Sequence, residues 1–126
     1  MDKEQLNKIV ADFLSRLQLP MEKARKPFIV ATIGLIGSGR STAAKIMAEK
    51  LKGAVLISSD SARYLLKEAG LPWGENVRQI LKSAATDLLG RGFGIVFDGN
   101  AADEEDRKNI SEIANQTGAS IHYVRV

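Results

Sequence analysis

The chain has 126 residues, of which 44% are hydrophobic and 26% are charged, and its net charge is +3. A chain of this length is normally one domain, and this composition is that of a globular protein with a buried core. Because the chain has no cysteine and a single histidine, His122, it has no disulfide framework, thiol nucleophile, thiolate metal site or multi-histidine metal site. No apolar run approaches the length of a membrane span, and the N-terminus has no apolar signal sequence. We therefore expect a cytoplasmic protein with no membrane partner.

Residues 1–26 are predicted to form an N-terminal amphipathic helix and a basic linker. Over residues 3–18 the apolar side chains recur with the helical period; they are Leu6, Ile9, Val10, Phe13, Leu14 and Leu17. Asp2 and Gln5 have the spacing of a capping box, and Pro20 marks the end of the helix. Such a stripe must be buried, either across the edge of the domain or on a second copy of the chain in a homodimer.

The linker that follows carries much of the positive charge, because residues 1–27 hold six Lys or Arg against four acids. Its basic residues are Lys23, Arg25 and Lys26. Two interpretations stay open, a solvated linker and a patch that binds a polyanion.

Residues 27–126 alternate between strands and helices. Apolar, β-branched runs predict four strands, at residues 28–33, 54–58, 94–97 and 119–126. Helices are predicted at about residues 41–52, 60–69, 75–90 and 103–117, the second capped by Ser59 or Asp60. This alternation is typical of a parallel sheet with right-handed crossovers and helices on both faces. The expected fold class is α/β, a three-layer α/β/α domain with about four strands and an extra N-terminal helix.

A glycine-rich segment lies between the first strand and the next helix. It follows the spacing G-x-x-x-x-G-K-[ST], with Arg40 in place of the lysine. The backbone N–H groups of such a loop, and the N-terminus of the helix behind it, converge on a polyphosphate. Ser41 would give its hydroxyl to Mg²⁺, and Arg40 would lie near the β- and γ-phosphates. The predicted phosphate-binding residues are Gly34, Leu35, Ile36, Gly37, Ser38, Gly39, Arg40, Ser41 and Thr42.

This loop resembles that of small P-loop kinases of the P-loop NTPase superfamily, namely polynucleotide-kinase-like, zeta-toxin-like and gluconate-kinase-like proteins. Residues 57–63, after the second strand, and residues 96–100, at the end of the third, resemble the same group. The resemblance implies the strand order 2-3-1-4, with a lid and a fifth strand beyond Val126, so that residues 27–126 would be a truncated nucleotide-binding domain. It also implies ATP as the donor, Mg²⁺ as the cofactor, and a small-molecule or polynucleotide hydroxyl as the acceptor.

The same resemblance assigns roles to polar residues near the strand ends. Asp60 would be the general base, and Arg63 would assist at the phosphate and the acceptor. Asp98, where the third strand ends, would bind Mg²⁺ through water or bind acceptor hydroxyls, with Asn100 and Arg107 as further acceptor-side candidates. Simpler roles stay open, because Asp60 could cap a helix, Arg63 could pair with it, and Asp98 could cap the next turn.

Four other features have mainly structural interpretations. Trp73 is either a loop anchor or a ring that stacks on a base or sugar. Arg78 is either solvated or close to the acceptor, and His122 is a structural histidine of the fourth strand. The acidic run 103–106 is typical of the first turn of a helix.

The leading hypothesis is an ATP-dependent kinase domain that transfers the γ-phosphoryl group to a hydroxyl. The alternative is a module that binds nucleotide or phosphate without turnover, because Arg40 replaces the lysine and no lid is present. A third hypothesis is a structural unit whose loop is vestigial.

Overall fold

The computed structural model describes residues 1–34, 39–99 and 103–126. Its helices are α1 (Lys3–Ser15), α2 (Arg40–Lys50), α3 (Ser59–Glu68), α4 (Glu75–Gly90) and α5 (Glu104–Thr117). Its strands are β1 (Phe28–Ile33), β2 (Ala54–Ser58), β3 (Gly94–Asp98) and β4 (Ser120–Arg125). In the described part of the chain, no helix is long and apolar enough to cross a membrane.

The four strands form one parallel sheet in the order β2-β3-β1-β4, which confirms the predicted order. The register places Val30 beside Val96 and Ser58 beside Asp98. All carboxyl ends of the strands therefore lie at one edge of the sheet, where open α/β sheets bind their ligands.

Alternate side chains of the strands enter two separate cores, as expected for a sheet covered on both faces. On one face, Ala44 of α2 packs with Val30, Ala54 and Val96. On the other face, the remaining helices cover a larger core that includes Ile29, Val55, Ile57 and Ile95. The result is the predicted three-layer α/β/α arrangement.

The N-terminal helix α1 joins the larger of these two cores. The predicted capping box is confirmed, because the Asp2 carboxylate accepts from the Gln5 backbone N–H and the Gln5 side chain accepts from the Asp2 N–H. Phe13 is only 2% exposed, and the rest of the apolar stripe packs around it against the same core. The helix ends at Ser15 rather than at residue 18. Its stripe therefore packs on the core of the same chain, with Phe13 buried and the other members partly buried, and the homodimer through this helix stays a prediction.

The basic linker runs beneath the amino ends of β2 and β3. The Ala24 backbone N–H donates to the Gly92 carbonyl at 2.9 Å. The Lys23 ammonium donates to the Arg91 carbonyl and lies 4.6 Å from the centre of the Phe93 ring. Lys23 is thus fixed on the domain, which fits neither a freely solvated linker nor a free polyanion patch at this residue.

The start of α3 differs from the prediction. Its N-cap is Ser58, whose hydroxyl accepts from the Asp60 N–H at 3.2 Å, and not Ser59 or Asp60. The reason is that β2 ends at Ser58 and α3 begins at the next residue, so no loop separates them. Asp60 is therefore in the first turn, where a carboxylate interacts favourably with the helix dipole.

Candidate functional site

Three predicted segments meet at the carboxyl edge of the sheet. Gly34 follows β1, Asp98 ends β3, and Ser58, beside Asp98, ends β2. Leu35, Ile36, Gly37 and Ser38 of the predicted loop, together with Asn100, lie outside the described residues, so their predicted roles stay predictions.

Helix α2 begins at this edge, and among the described residues no side chain caps its N-terminus. Gly39 is the N-cap and has a left-handed backbone with φ of 87°, a conformation that favours glycine. The first hydrogen bond of the helix runs from the Ala43 N–H to the Gly39 carbonyl at 2.9 Å. Because the earlier N–H groups have no partner within the helix, those of Arg40, Ser41 and Thr42 suit an anion. This end of α2 is where the sequence predicts the polyphosphate.

The Arg40 side chain turns back towards the sheet. Its Nη1 donates to the Gly34 carbonyl at 2.9 Å, and its Nε lies 3.6 Å from Oδ1 of Asp98. The side chains of Arg40 and Asp98 are 20% and 11% exposed. The structure thus brings two predicted site residues into one partly buried ion pair, which sequence reasoning did not anticipate.

Asp60 and Arg63 form a second ion pair on α3. Arg63 Nη1 lies 2.7 Å from Asp60 Oδ1, as their spacing on one helix face suggests, and the Asp60 side chain is 83% exposed. The Arg63 guanidinium also lies 5.8 Å from the centre of the Trp73 ring, which is half exposed. Arg63 is thereby held between an acid and an aromatic ring.

Beside Arg63, a pocket opens between α3, α4 and α5. Its polar lining comes from Ser59, Arg63, Asp106 and Asn109, with the backbone of Gly99 at its edge. Its apolar lining consists of Val77, Leu81, Phe97 and Ile110. Among the described residues that line this pocket, Arg63 is the one predicted site residue.

Sequence reasoning missed the polar groups that α5 contributes to this pocket. Asp106 and Asn109 are three residues apart, so they share a helix face, and this spacing was the available signal. The predicted Arg107 lies between them on the exposed side of α5 and is not among the residues that line the pocket. Its acceptor role stays a prediction.

Arg78 is partly buried and pairs with two carboxylates, one of which, Asp106, lines this pocket. Its Nε lies 3.1 Å from Asp106 Oδ1, and its Nη1 lies 3.4 Å from Glu75 Oε2. Partial desolvation opposes the charge of Arg78, but the hydrogen bonds to Asp106 and Glu75 outweigh it and raise the pKa of the guanidinium. Arg78 therefore stays charged and holds the Asp106 carboxylate in place, while its backbone carbonyl accepts from the Asn109 amide at 3.2 Å.

Two features with structural interpretations remain, the acidic run and His122. The acidic run begins with Asp103 as the N-cap of α5, its carboxylate accepting from the N–H groups of Glu105 and Asp106, which confirms the helix-start interpretation. His122 is an exposed residue of the edge strand β4.

The residues present fit a metal that is shared with a polyphosphate. Over residues 1–34, 39–99 and 103–126, no group of three or more His, Cys, Asp or Glu could hold a metal by itself. Mg²⁺ is commonly held by one or two protein oxygens together with substrate phosphates and waters. Asp98 at the sheet edge and Ser41 at the start of α2 are the predicted protein ligands and are donors of this kind.

Comparison with known proteins agrees with this geometry. The sequence profile of the AAA domain family matches residues 29–126. None of the curated proteins matches the chain. Among solved structures, a mutant of the APS kinase CysC from Mycobacterium tuberculosis is 25% identical, with a TM-score of 0.63 over 79% of this chain and 76% of that one.

Two further structures share the fold at lower identity. The PezAT toxin–antitoxin system of Streptococcus pneumoniae is 18% identical, with a TM-score of 0.74 over 99% of this chain and 56% of that one. A chain of the Pnkp1/Rnl/Hen1 complex is 17% identical, with a TM-score of 0.65 over 84% of this chain and 38% of that one. The profile match covers most of the chain, and the chain therefore belongs to the AAA domain family as a P-loop kinase-like, nucleotide-binding domain.

Proposed function

We propose that this domain binds ATP with Mg²⁺ and transfers the γ-phosphoryl group to a hydroxyl acceptor. The observation that carries the proposal is the N-terminus of α2 at the carboxyl edge of the sheet. No described side chain caps it, and its first residue, Arg40, pairs with Asp98. The similarity to an APS kinase at 25% identity supports a kinase rather than another class of nucleotide-binding protein.

On this proposal the phosphates lie against the backbone N–H groups at the start of α2. Residues 34–42 hold the polyphosphate, and Arg40 contacts the β- and γ-phosphates once it leaves the Gly34 carbonyl. Mg²⁺, held by the Ser41 hydroxyl and by Asp98 through water, would neutralise charge on the phosphate oxygens.

The pocket between α3, α4 and α5 is the proposed place of the acceptor. Its apolar lining would hold a carbon skeleton, while Ser59, Arg63 and Asn109 offer polar groups for hydroxyls or a negative charge. Asp60 is not among the residues that line this pocket, but it pairs with Arg63, which is, at 2.7 Å. From there Asp60 would take the proton from the attacking hydroxyl. The new bond joins that oxygen to the γ-phosphorus, the bond to the bridging oxygen breaks, and ADP leaves.

Transfer of radiolabel from the γ-phosphate of ATP tests the proposal directly. The panel contains sugars, nucleosides and oligonucleotides with a free terminal hydroxyl, each with Mg²⁺. We expect Arg40→Lys to transfer faster than the natural chain, because the compact ammonium suits the loop better than the guanidinium. One transition-state contact of this kind changes the rate by about 10²-fold.

Two further variants complete this experiment. Asp60→Asn should slow transfer by about 10²-fold or more, because the general base is lost. Asp12→Asn is the matched control, since this acid pairs with Arg16 on the exposed side of α1 and should leave transfer unchanged. If neither the natural chain nor Arg40→Lys labels any acceptor, the kinase proposal is wrong.

The same Arg40 contacts favour one alternative, a module that binds nucleotide without turnover. Arg40 is engaged by the Gly34 carbonyl and by Asp98, so it is held away from the phosphate position. Calorimetry separates the two functions, because tight ATP binding without labelled product, in the natural chain and in Arg40→Lys, supports the module.

A further inference from the structure

The ion pair between Arg40 and Asp98 joins a phosphate-binding group to a metal-binding group of the proposed site. Their side chains are only 20% and 11% exposed, so water and salt screen this pair less than they screen an exposed one. The Gly34 carbonyl also accepts from Arg40 Nη1 at 2.9 Å, which holds the guanidinium near the end of β1. The Arg40 Nε is buried, and within the described part of the chain it makes no hydrogen bond, since 3.6 Å to Asp98 is too long for one.

Among the described residues, these contacts use only part of the hydrogen-bonding capacity of Arg40. A guanidinium offers five N–H donors in a planar fork and binds phosphate oxygens in pairs. A polyphosphate at the N-terminus of α2 would therefore attract Arg40 away from Asp98. That movement would leave the Asp98 carboxylate partly buried, uncompensated and close to further negative charge, which is costly unless a cation replaces the guanidinium.

We propose that Arg40 acts as an internal cation at Asp98 and that Mg²⁺ takes its place when nucleotide binds. We call the Arg40–Asp98 pair a latch, because it couples the binding of nucleotide to the binding of Mg²⁺. The phosphates give Arg40 a new partner, and the metal gives Asp98 a new partner. Nucleotide without Mg²⁺ must break the pair with nothing to compensate Asp98, so it binds weakly. This inference rests on the proposed nucleotide site and assigns to Arg40 a specificity-determining role that the usual lysine, a compact point charge, does not reproduce.

A double-mutant cycle on ADP binding without Mg²⁺ tests the latch. The four proteins are the natural chain, Asp98→Asn, Arg40→Gln and the double variant, titrated by calorimetry in the presence of a chelator. Asp98→Asn should tighten ADP binding about tenfold more in the natural chain than in the Arg40→Gln variant, which is the coupling expected of such a pair. Simple repulsion between Asp98 and phosphate would act equally in both backgrounds, so it cancels in the cycle.

Adding Mg²⁺ gives the second readout. In the natural chain Mg²⁺ should tighten ADP binding, and this gain should shrink in Asp98→Asn. The matched control is Asp87→Asn, which removes a carboxylate from an arginine pair, with Arg91, at the far end of α4. Asp87→Asn should leave the affinity for ADP unchanged, and it should also leave unchanged the gain in ADP affinity that Mg²⁺ produces.

The outcomes separate the latch from the proposed function. Coupling of about tenfold between positions 40 and 98 supports the latch. Equal effects of Asp98→Asn in both backgrounds, with ADP still bound, overturn the latch and leave the nucleotide site intact. Absence of ADP binding in all four proteins, with and without Mg²⁺, overturns the nucleotide site and the latch with it.

Discussion

Gly53 is the residue at which the linker comes closest to the domain. Its φ is +75°, and a Cβ at this position would overlap the backbone nitrogen of Ala24 and lie 2.5 Å from the carbonyl carbon of Lys23. These are backbone atoms of a segment that the Ala24–Gly92 hydrogen bond fixes, so they cannot move aside without breaking that bond. Glycine is therefore required here for two separate reasons, its backbone angle and its lack of a side chain.

We expect Gly53→Ala to lower the free energy of unfolding by about 3 kcal/mol, of which the left-handed backbone accounts for about 1 and the overlap for the rest. Gly70→Ala is the matched control, because Gly70 has φ of +70° with nothing within 4 Å of an added Cβ. It should cost only about 1 kcal/mol in the same denaturant titration. Equal losses in the two variants would show that the linker does not hold this position.

At the scale of single residues, contacts between residues close in sequence could be predicted, and contacts between residues far apart in sequence could not. Asp2 and Asp103 cap helices as expected, because a cap depends on residues only two or three positions away. The pairs of Arg40 with Asp98 and of Arg78 with Asp106 depend on which strands and helices become neighbours. No local pattern encodes that choice, so the most informative contacts of the site appeared only in the structure.

A salt bridge on the outer surface joins helices α4 and α5. Lys82 Nζ lies 3.0 Å from Glu112 Oε2. The hydrogen bond from Lys82, and then its charge, lower the pKa of Glu112 below its usual value. A carboxyl group whose pKa is lower in the folded state adds stability above its unfolded pKa, and this stability is lost as the pH falls through the folded pKa.

The natural chain should therefore lose stability at acid pH partly through this pair. We expect Glu112→Gln to reduce the decline in unfolding free energy between about pH 6 and about pH 3. Lys82→Met removes the partner instead of the acid and should have a similar effect. Denaturant titrations at low salt, where surface pairs are least screened, measure the difference. A decline that is unchanged in both variants would contradict a role of the pair in stability.

Helix α1 was predicted correctly as an element, and its place in the molecule came from the structure. The helical period of its apolar residues predicts that one face is buried, but it does not predict which surface of the molecule covers that face. The structure shows that surface to be α3 and α4 of the same chain, with Phe13 in the common core. Similarly, the start of α3 was misplaced because Ser58, Ser59 and Asp60 are all good caps, and the end of β2 decides among them.

Phe13→Ala tests whether α1 is part of the folding unit. Removing a fully buried phenylalanine should cost about 3–5 kcal/mol. Leu19→Ala, at a position that is 40% exposed just after the helix, is the control and should cost less than about 1 kcal/mol. If Phe13→Ala lost no more stability than Leu19→Ala, α1 would not be part of the folding unit.

The parallel sheet sets the arrangement of the whole molecule. Because all strand ends of one polarity lie at one edge, Gly34, Asp98 and Ser58 meet there although they are far apart in sequence. The alternation of strands and helices was enough to predict the parallel sheet, and the resemblance to P-loop kinases supplied the order 2-3-1-4. The acceptor's chemistry does not follow from the fold, since the same fold carries many sites with different linings.

Stabilisation by nucleotide is the whole-molecule consequence of the proposed site. A ligand that binds only the folded chain adds about 2.7 kcal/mol at a concentration one hundred times its Kd. For a domain of this size that free energy raises Tm by about 10 °C.

We expect ADP with Mg²⁺ to produce a shift of this order in a thermal melt, and adenosine, which lacks phosphates, to produce none. The contrast would follow from the proposed site, in which the N-terminus of α2 and Arg40 contact the phosphates rather than the base. A loop that is only vestigial predicts no shift with ATP, ADP or Mg²⁺, and equal shifts with ADP and adenosine would place the binding energy outside the phosphate loop.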